Sequence, residues 1–202
     1  MRQLLIFLIL LAMPILASAQ KFNARANAGI VASQVDGDRY SGYNKFGFTF
    51  GADVSRQIEK TDFGWRLGLR YVRKGSHAPK SDESEFYKVE LHYAEMPLTA
   101  LYTYKRFEFE AGASFGYLIK SKEDVDGNGM TEPAFKFKPV ELSGVAGVNY
   151  NLTGNLWAGA EFSYSMLPVR PYTAAHSDYV LSGEHNNLLM FKIVYLFHAA
   201  RK

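Results

Sequence analysis

Residues 107–120 read FEFEAGASFGYLIK, and the alternation in them limits the fold more than any other feature of the chain. In a strand, successive side chains point to opposite faces. One face here carries Phe107, Phe109, Ala111, Ala113, Phe115, Tyr117 and Ile119, and the other carries Glu108, Glu110, Gly112, Ser114, Gly116, Leu118 and Lys120. The same period-two pattern recurs at 22–34, 45–57, 63–74, 88–104, 138–151, 155–167 and 187–198, and no segment holds a helical period. Eight strands in all-β alternation suit an antiparallel up-and-down barrel.

Side-chain size decides which face is inside. An eight-stranded barrel is just wide enough for side chains to fill it. The apolar faces are bulky: Phe46, Phe48 and Phe50; Phe63, Trp65, Leu67, Leu69 and Tyr71; Phe162 and Tyr164; Leu189, Phe191, Ile193, Tyr195 and Phe197. The opposite faces hold Gly47, Gly51, Gly64, Gly68, Gly112, Gly116, Gly147 and Gly159. Small residues fit the narrow bore, so the aromatic face looks outward. In water, a band of that size would aggregate. Lipid is the solvent that accepts it. A soluble ligand-carrying barrel would show the reverse, an apolar pocket inside.

The connections agree. IEKTD, the Lys105-Arg106 pair and LTGN are short, whereas VDGDRYSGYN, GSHAPKSDESEFY, SKEDVDGNGMTEPAFKF and PVRPYTAAHSDYVLSGEH are long, and the two kinds alternate. In a meander, alternate connections lie at opposite ends. The pattern predicts a transmembrane barrel with four long extracellular loops, short periplasmic turns and both termini periplasmic. Strand four contains AEMPL, where Pro97 removes a backbone donor, and a bulge is expected there.

The N-terminus reads MRQLLIFLILLAMPILASAQ. Arg2, an apolar run from Leu4 to Leu16 and the small residues Ala17-Ser18-Ala19 make a secretory signal, giving residues 1–19 as signal peptide and 20–202 as barrel. There is no Cys, so an exported chain of this kind relies on no disulfide. A net charge of +3 does not suggest a nucleic-acid partner.

The inward faces also carry charge. Parity places Arg25, Asp53, Arg66, Arg70, Glu95, Glu108, Glu110, Glu141, Glu161 and Lys192 inside. A lone buried charge is costly, so these groups must neutralise one another. They form either a polar plug that closes the barrel or a path for ions, and filled eight-stranded barrels favour the plug.

The runs GFTFGADVSRQ, WRLGLRYVRKG, LHYAEMPLTALYTY, FEFEAGASFGYLI and VAGVNYNL together resemble the PorT-like outer-membrane β-barrel family of Gram-negative bacteria. The closest likeness is RYVRKG followed after a loop by HYAEMPL, and it extends over nearly all of the mature chain. The resemblance implies an eight-stranded outer-membrane barrel, one branch of which is linked to protein secretion. It implies no molecular activity.

Two further chemistries compete with bland readings. In DVDGNGMTE, the residues Asp124, Asp126, Asn128 and Glu132 fall at positions one, three, five and nine of a calcium loop, with Gly129 at six. Position twelve is Phe135 rather than a bidentate Glu, which makes any Ca²⁺ binding weak; otherwise this is an ordinary Asp/Asn/Gly turn. A rim enzyme would use His77, His92, His176, His185 or His198, with Glu90 beside His92, but no nucleophile or metal motif accompanies them. The expected function is a non-enzymatic scaffold or interaction module. Its partners would be outer-membrane lipid, the barrel-assembly machinery during insertion, and envelope or secretion proteins. A narrow pore or small-solute carrier is the second reading, and an outer-membrane enzyme with its site at the extracellular rim is the third.

Overall fold

A computed structural model describes residues 22–40, 42–78, 86–171 and 183–197. The signal segment, His176 and His198 lie outside them. The strands are β1 (Asn23–Asp36), β2 (Lys45–Gln57), β3 (Phe63–Ala78), β4 (Tyr87–Tyr104), β5 (Phe107–Val125), β6 (Val140–Thr153), β7 (Leu156–Ser165), the two-residue β8 (Arg170–Pro171) and β9 (Gly183–Phe197). Strands β1 to β7 and β9 pair in sequence order, each antiparallel to the next, and β9 returns to β1 from Ala24↔Phe197 to Asp36↔His185. The result is a closed eight-stranded antiparallel barrel, to which β8 adds a short flap on β9.

Turn chemistry accounts for the short end. The Lys105-Arg106 hairpin puts Lys105 at φ 56°, and the β6–β7 turn puts Gly154 at φ 56° with its N–H on Asn151 Oδ1 at 2.8 Å. Positive φ of this kind matches the twist of paired strands. Glycine within the strands has a different reason. At Gly112, a Cβ would lie 2.2 Å from the Leu98 carbonyl oxygen, closer than any side chain can stand.

The bulge expected at Pro97 is elsewhere. Leu67↔Leu98 and Arg70↔Glu95 keep one register across β3 and β4, and Pro97 pairs with Ser114 on β5 without a shift. Instead, β3–β4 pairing lapses opposite Gly68 and Leu69, and the Pro97 ring occupies the space a Gly68 side chain would need, 3.1 Å from that Cβ position. The missing proline donor therefore costs ladder bonds but adds no residue. The real bulge lies between His92 and Tyr93, where Ile119 is the extra residue on β5.

The chemistry of the two faces swaps partway up the wall, while the facing parity stays the same. In the lower half of β4, Met96, Leu98 and Tyr102 point outward while Glu95 and Thr99 are buried. In the upper half, Tyr87, Val89, Leu91 and Tyr93 are buried, and Lys88, Glu90 and His92 face out. The expectation of an interior that is small and polar throughout therefore holds only for the lower half. Strands β3, β5 and β9 change character at the same level, at Tyr71/Arg73, Ile119/Lys120 and Leu189/Asn187. Below it the outer wall is apolar, with Phe46 72% and Leu69 65% exposed. From Ala94 to Tyr104, ten residue steps at the usual rise and tilt project to about 25 Å, the height of a lipid-facing band. Above it, the barrel wall stands in water and builds an ordinary apolar core.

Candidate functional site

The ten inward charges all lie buried in the lower bore. They join, through one further residue, into a chain of alternating sign. Arg25 makes two 2.8 Å bonds to Glu108, and Glu108 also binds Arg66. Arg66 binds Glu110, and its Nε lies 3.2 Å from Asp53 Oδ1. Glu110 accepts from Lys192 at 3.1 Å and from Asn149 at 3.2 Å. Lys192 contacts Glu161 at 2.5 Å, and Glu161 accepts from Arg70 at 2.6 Å. Arg70 then donates twice to Glu95, at 3.0 and 2.8 Å. Lys74 closes the series, donating to Glu95 at 2.8 Å and to Glu141 at 2.9 Å. Glu141 also takes bonds from Ser143 and Asn186, both at 2.6 Å.

Lys74 is the member that sequence reasoning missed. It is completely buried. Two signals could have found it. It shares the face of Arg66 and Arg70, and the ten predicted groups hold four cations against six carboxylates, an imbalance that asks for another cation. As the last residue of the 63–74 segment, Lys74 reads equally well as the start of the polar connection that follows. Within the ladder Glu108, Glu110, Glu161 and Glu95 each meet two cations, and Arg66, Lys192, Arg70 and Lys74 each meet two or more carboxylates, the condition under which burial of ions is tolerated.

An apolar layer lies above the ladder. The Lys74 ammonium sits 4.3 Å from the Tyr93 ring centroid, and Tyr93 belongs to a buried cluster with Val89, Leu91, Phe137 and Val169. Val31, Val72, Leu188 and Met190 make a second cluster on the facing wall. Arg170 caps this layer. It donates to Glu184 (2.8 Å), Glu123 (2.8 Å) and the Tyr87 hydroxyl (2.7 Å), and lies 4.4 Å from the Phe137 ring centroid. Tyr87 in turn donates to Glu123 at 2.8 Å and stacks on Tyr40 at 5.0 Å. A cleft of about 390 Å³ opens over the cap, lined by Asp38, Tyr40, Tyr87, Glu123, Arg170 and Glu184 among others. Asp38 Oδ1 accepts the Tyr40 N–H at 2.9 Å, and burial pushes its carboxyl above the usual carboxylate range.

The residues of the calcium reading, Asp124, Asp126, Asn128 and Glu132, lie at the end of β5 and in the turn that follows it. Asp124 belongs to β5, opposite Lys88, and its Oδ1 accepts the Gly129 N–H at 3.1 Å. Asp126, Gly127 and Gly129 take positive φ, so the segment turns sharply after β5. Among the described residues, no three His, Asp or Glu side chains converge as a metal site. Of the histidines, His92 bonds Glu90 at 2.9 Å and also the Tyr71 hydroxyl, all on the outer wall. His185 Nδ1 donates to the Ser165 carbonyl at 2.8 Å, while Ser165 Oγ is fully buried and accepts the Asn186 N–H at 2.9 Å. That hydroxyl is engaged by the backbone and closed to substrate.

Comparison with known proteins agrees with the barrel. The chain is similar in fold to Ail, the attachment invasion locus protein of Yersinia pestis, solved with the heparin analogue sucrose octasulfate, at 15% identity over 88% of this chain and 100% of that one, with a TM-score of 0.52. Neisserial surface protein A aligns at 18% identity over 87% of this chain and 97% of that one, with a TM-score of 0.47. None of the curated protein sequences matches. The model of the outer membrane protein beta-barrel domain matches residues 18–169, most of the chain. An eight-stranded closed barrel, an apolar band at lipid height and this match together make the chain an integral outer-membrane protein of the outer membrane protein beta-barrel domain family.

Proposed function

We propose that the protein is a sealed, non-enzymatic outer-membrane barrel that serves as a membrane-embedded interaction module. Its long connections face the cell exterior, and its termini and short turns face the periplasm. One observation carries the reading: the bore is filled twice, by the charge ladder and by the apolar layer above it. A conducting pore needs a continuous wet path, and both layers oppose one. The capped upper end is ordered around Arg170 and presents a cleft, which is what an interaction surface requires. The PorT-like resemblance supports a role accessory to secretion or envelope maintenance, with envelope or secretion proteins as partners. Protease added to intact cells tests the orientation. Cleavage confined to the long connections supports it, and cleavage at residues 58–62 or 152–155 inverts it. Crosslinking in the native membrane, followed by identification of the captured proteins, tests the interaction role. Recovery of lipid and assembly machinery alone would remove it.

A further inference from the structure

The outer wall just above the aromatic band is not uniform. On β3–β5, the first outward row beyond Tyr71, Ala94 and Tyr117 is Arg73, His92 and Lys120. Next come Glu90 and Lys122, then Lys88 beside Asp124. On the opposite wall at this height, β1 and β9 present Gln34, Asp36, Asn187 and His185. Basic charge is therefore gathered on one third of the circumference. Part of it is neutralised: Glu90 binds Arg73 at 2.5 Å and Lys45 at 3.1 Å. Lys88, Lys120 and Lys122 make no hydrogen bond or ion pair among the described residues. Beside them a groove of about 320 Å³ runs between β5 and residues 132–137, with Ile119 in its lining and Lys120 and Lys136 along it. Ile119 is the bulged residue and continues the outward apolar column of Phe115 and Tyr117.

We propose that this wall is a binding site for a phosphorylated membrane lipid, with the phosphate held by Lys88, Lys120 and Lys122 and an acyl chain lying over Ile119, Tyr117 and Phe115. The height selects the ligand. A lipid carries its charge immediately outside its hydrocarbon, and here Lys120 and Lys122 stand in the first two rows outside the hydrocarbon-facing band, with Lys88 in the third. Polybasic segments at that level attract anionic headgroups and do so less at high salt. Continuity between the groove and the apolar column favours a lipid over a soluble phosphate. Assignment of the site to the outer leaflet rests on the proposed orientation, whereas the contact itself does not.

The test uses the folded full-length barrel in phosphatidylcholine nanodiscs doped with phosphatidic acid, with diacylglycerol of the same chains, or supplemented with inorganic phosphate. Retention of lipid is read by native mass spectrometry, and thermal unfolding is read in parallel. The expected result is selective retention of phosphatidic acid with a raised Tm, and at least tenfold weaker retention in the variant Lys88→Ser, Lys120→Ser, Lys122→Ser. A variant that removes equal charge at the other end, Arg56→Ser, Lys60→Asn, Lys105→Asn, should retain the lipid as the parent does. Because the triple serine variant could fold poorly, Lys120→Ser alone provides a milder step and should lose severalfold. Equal retention of diacylglycerol, full competition by inorganic phosphate, or equal loss in the two triple variants would overturn the proposal. None of these outcomes depends on which way the barrel faces in the membrane.

Discussion

Arg70 and Glu161 stand 91 residues apart in the chain and meet inside the barrel at 2.6 Å. Arg70 simultaneously grips Glu95, so one guanidinium ties β3 to β4 and to β7 across the bore. Removing one partner of such a buried pair typically costs about 3–5 kcal/mol, because the other charge is left uncompensated. Arg70→Ala should lower thermal stability by that order. Adding Glu161→Gln should restore part of the loss, since the orphaned charge disappears. Thermal unfolding of the single and double variants checks both. A neutral Arg70→Ala would mean the ladder is not a structural unit.

Lys74 offers a sharper variant of the same argument. It terminates the ladder and lies against Tyr93. Lys74→Met keeps the volume and the apolar contact but strips Glu95 and Glu141 of a shared cation. The expected outcome is destabilisation of about 3 kcal/mol or more, read by chemical unfolding, and an unchanged midpoint would contradict it.

The Arg170 cap should be separable from the barrel below it. Arg170→Ala removes bonds to Glu184, Glu123 and Tyr87 together. These groups lie above the lipid-facing band. Hydrogen exchange should therefore quicken around residues 123–140 and at β8 while the lower strands stay protected. Uniform loss of protection would contradict a cap that is locally held.

Asp38 makes a pH-dependent prediction. Its folded carboxyl titrates above the ordinary value of 3.8 because burial disfavours the charged form. A raised folded pKa gives stability that is fully present below the unfolded value and lost as pH rises through the folded one. Asp38→Asn should therefore raise Tm at neutral pH, by about 2–4 °C per kcal/mol recovered, and should have little effect below the unfolded value. Circular-dichroism melts at the two pH values check the sign, and a lower Tm at neutral pH would reverse it.

The Asp124 turn should be indifferent to calcium. Calorimetric titration of Ca²⁺ into the folded protein and into the variant Asp124→Ala, Asp126→Ala should give equal heats. A larger heat in the parent would restore the calcium reading.

Alternation, side-chain size and loop length made the lower half of the molecule legible. Phe107 to Tyr117 and Arg66 to Arg70 can face only one way once the bore is narrow. The upper half was harder to read because the same parity serves two solvents. Val89, Leu91 and Tyr93 face inward where the wall leaves lipid, and nothing in KVELHY alone marks that level. The swap becomes visible only when β3, β4, β5 and β9 are compared in register. Lys74 was missed although it shares the face of Arg66 and Arg70, because a lysine at the end of a segment reads as readily as part of the polar loop beyond it. Pro97 misled for another reason: the lack of a donor does not say whether a strand will bulge or simply leave Gly68 unpaired.

The most direct test of the sealed barrel is single-channel recording in planar bilayers. With the bore filled by the ladder and the apolar layer, the wild-type protein should insert and show no steady conductance at any moderate voltage. Steady single-channel currents that change with Arg70 or Lys74 substitutions would contradict the account and make the ladder the wall of a pore.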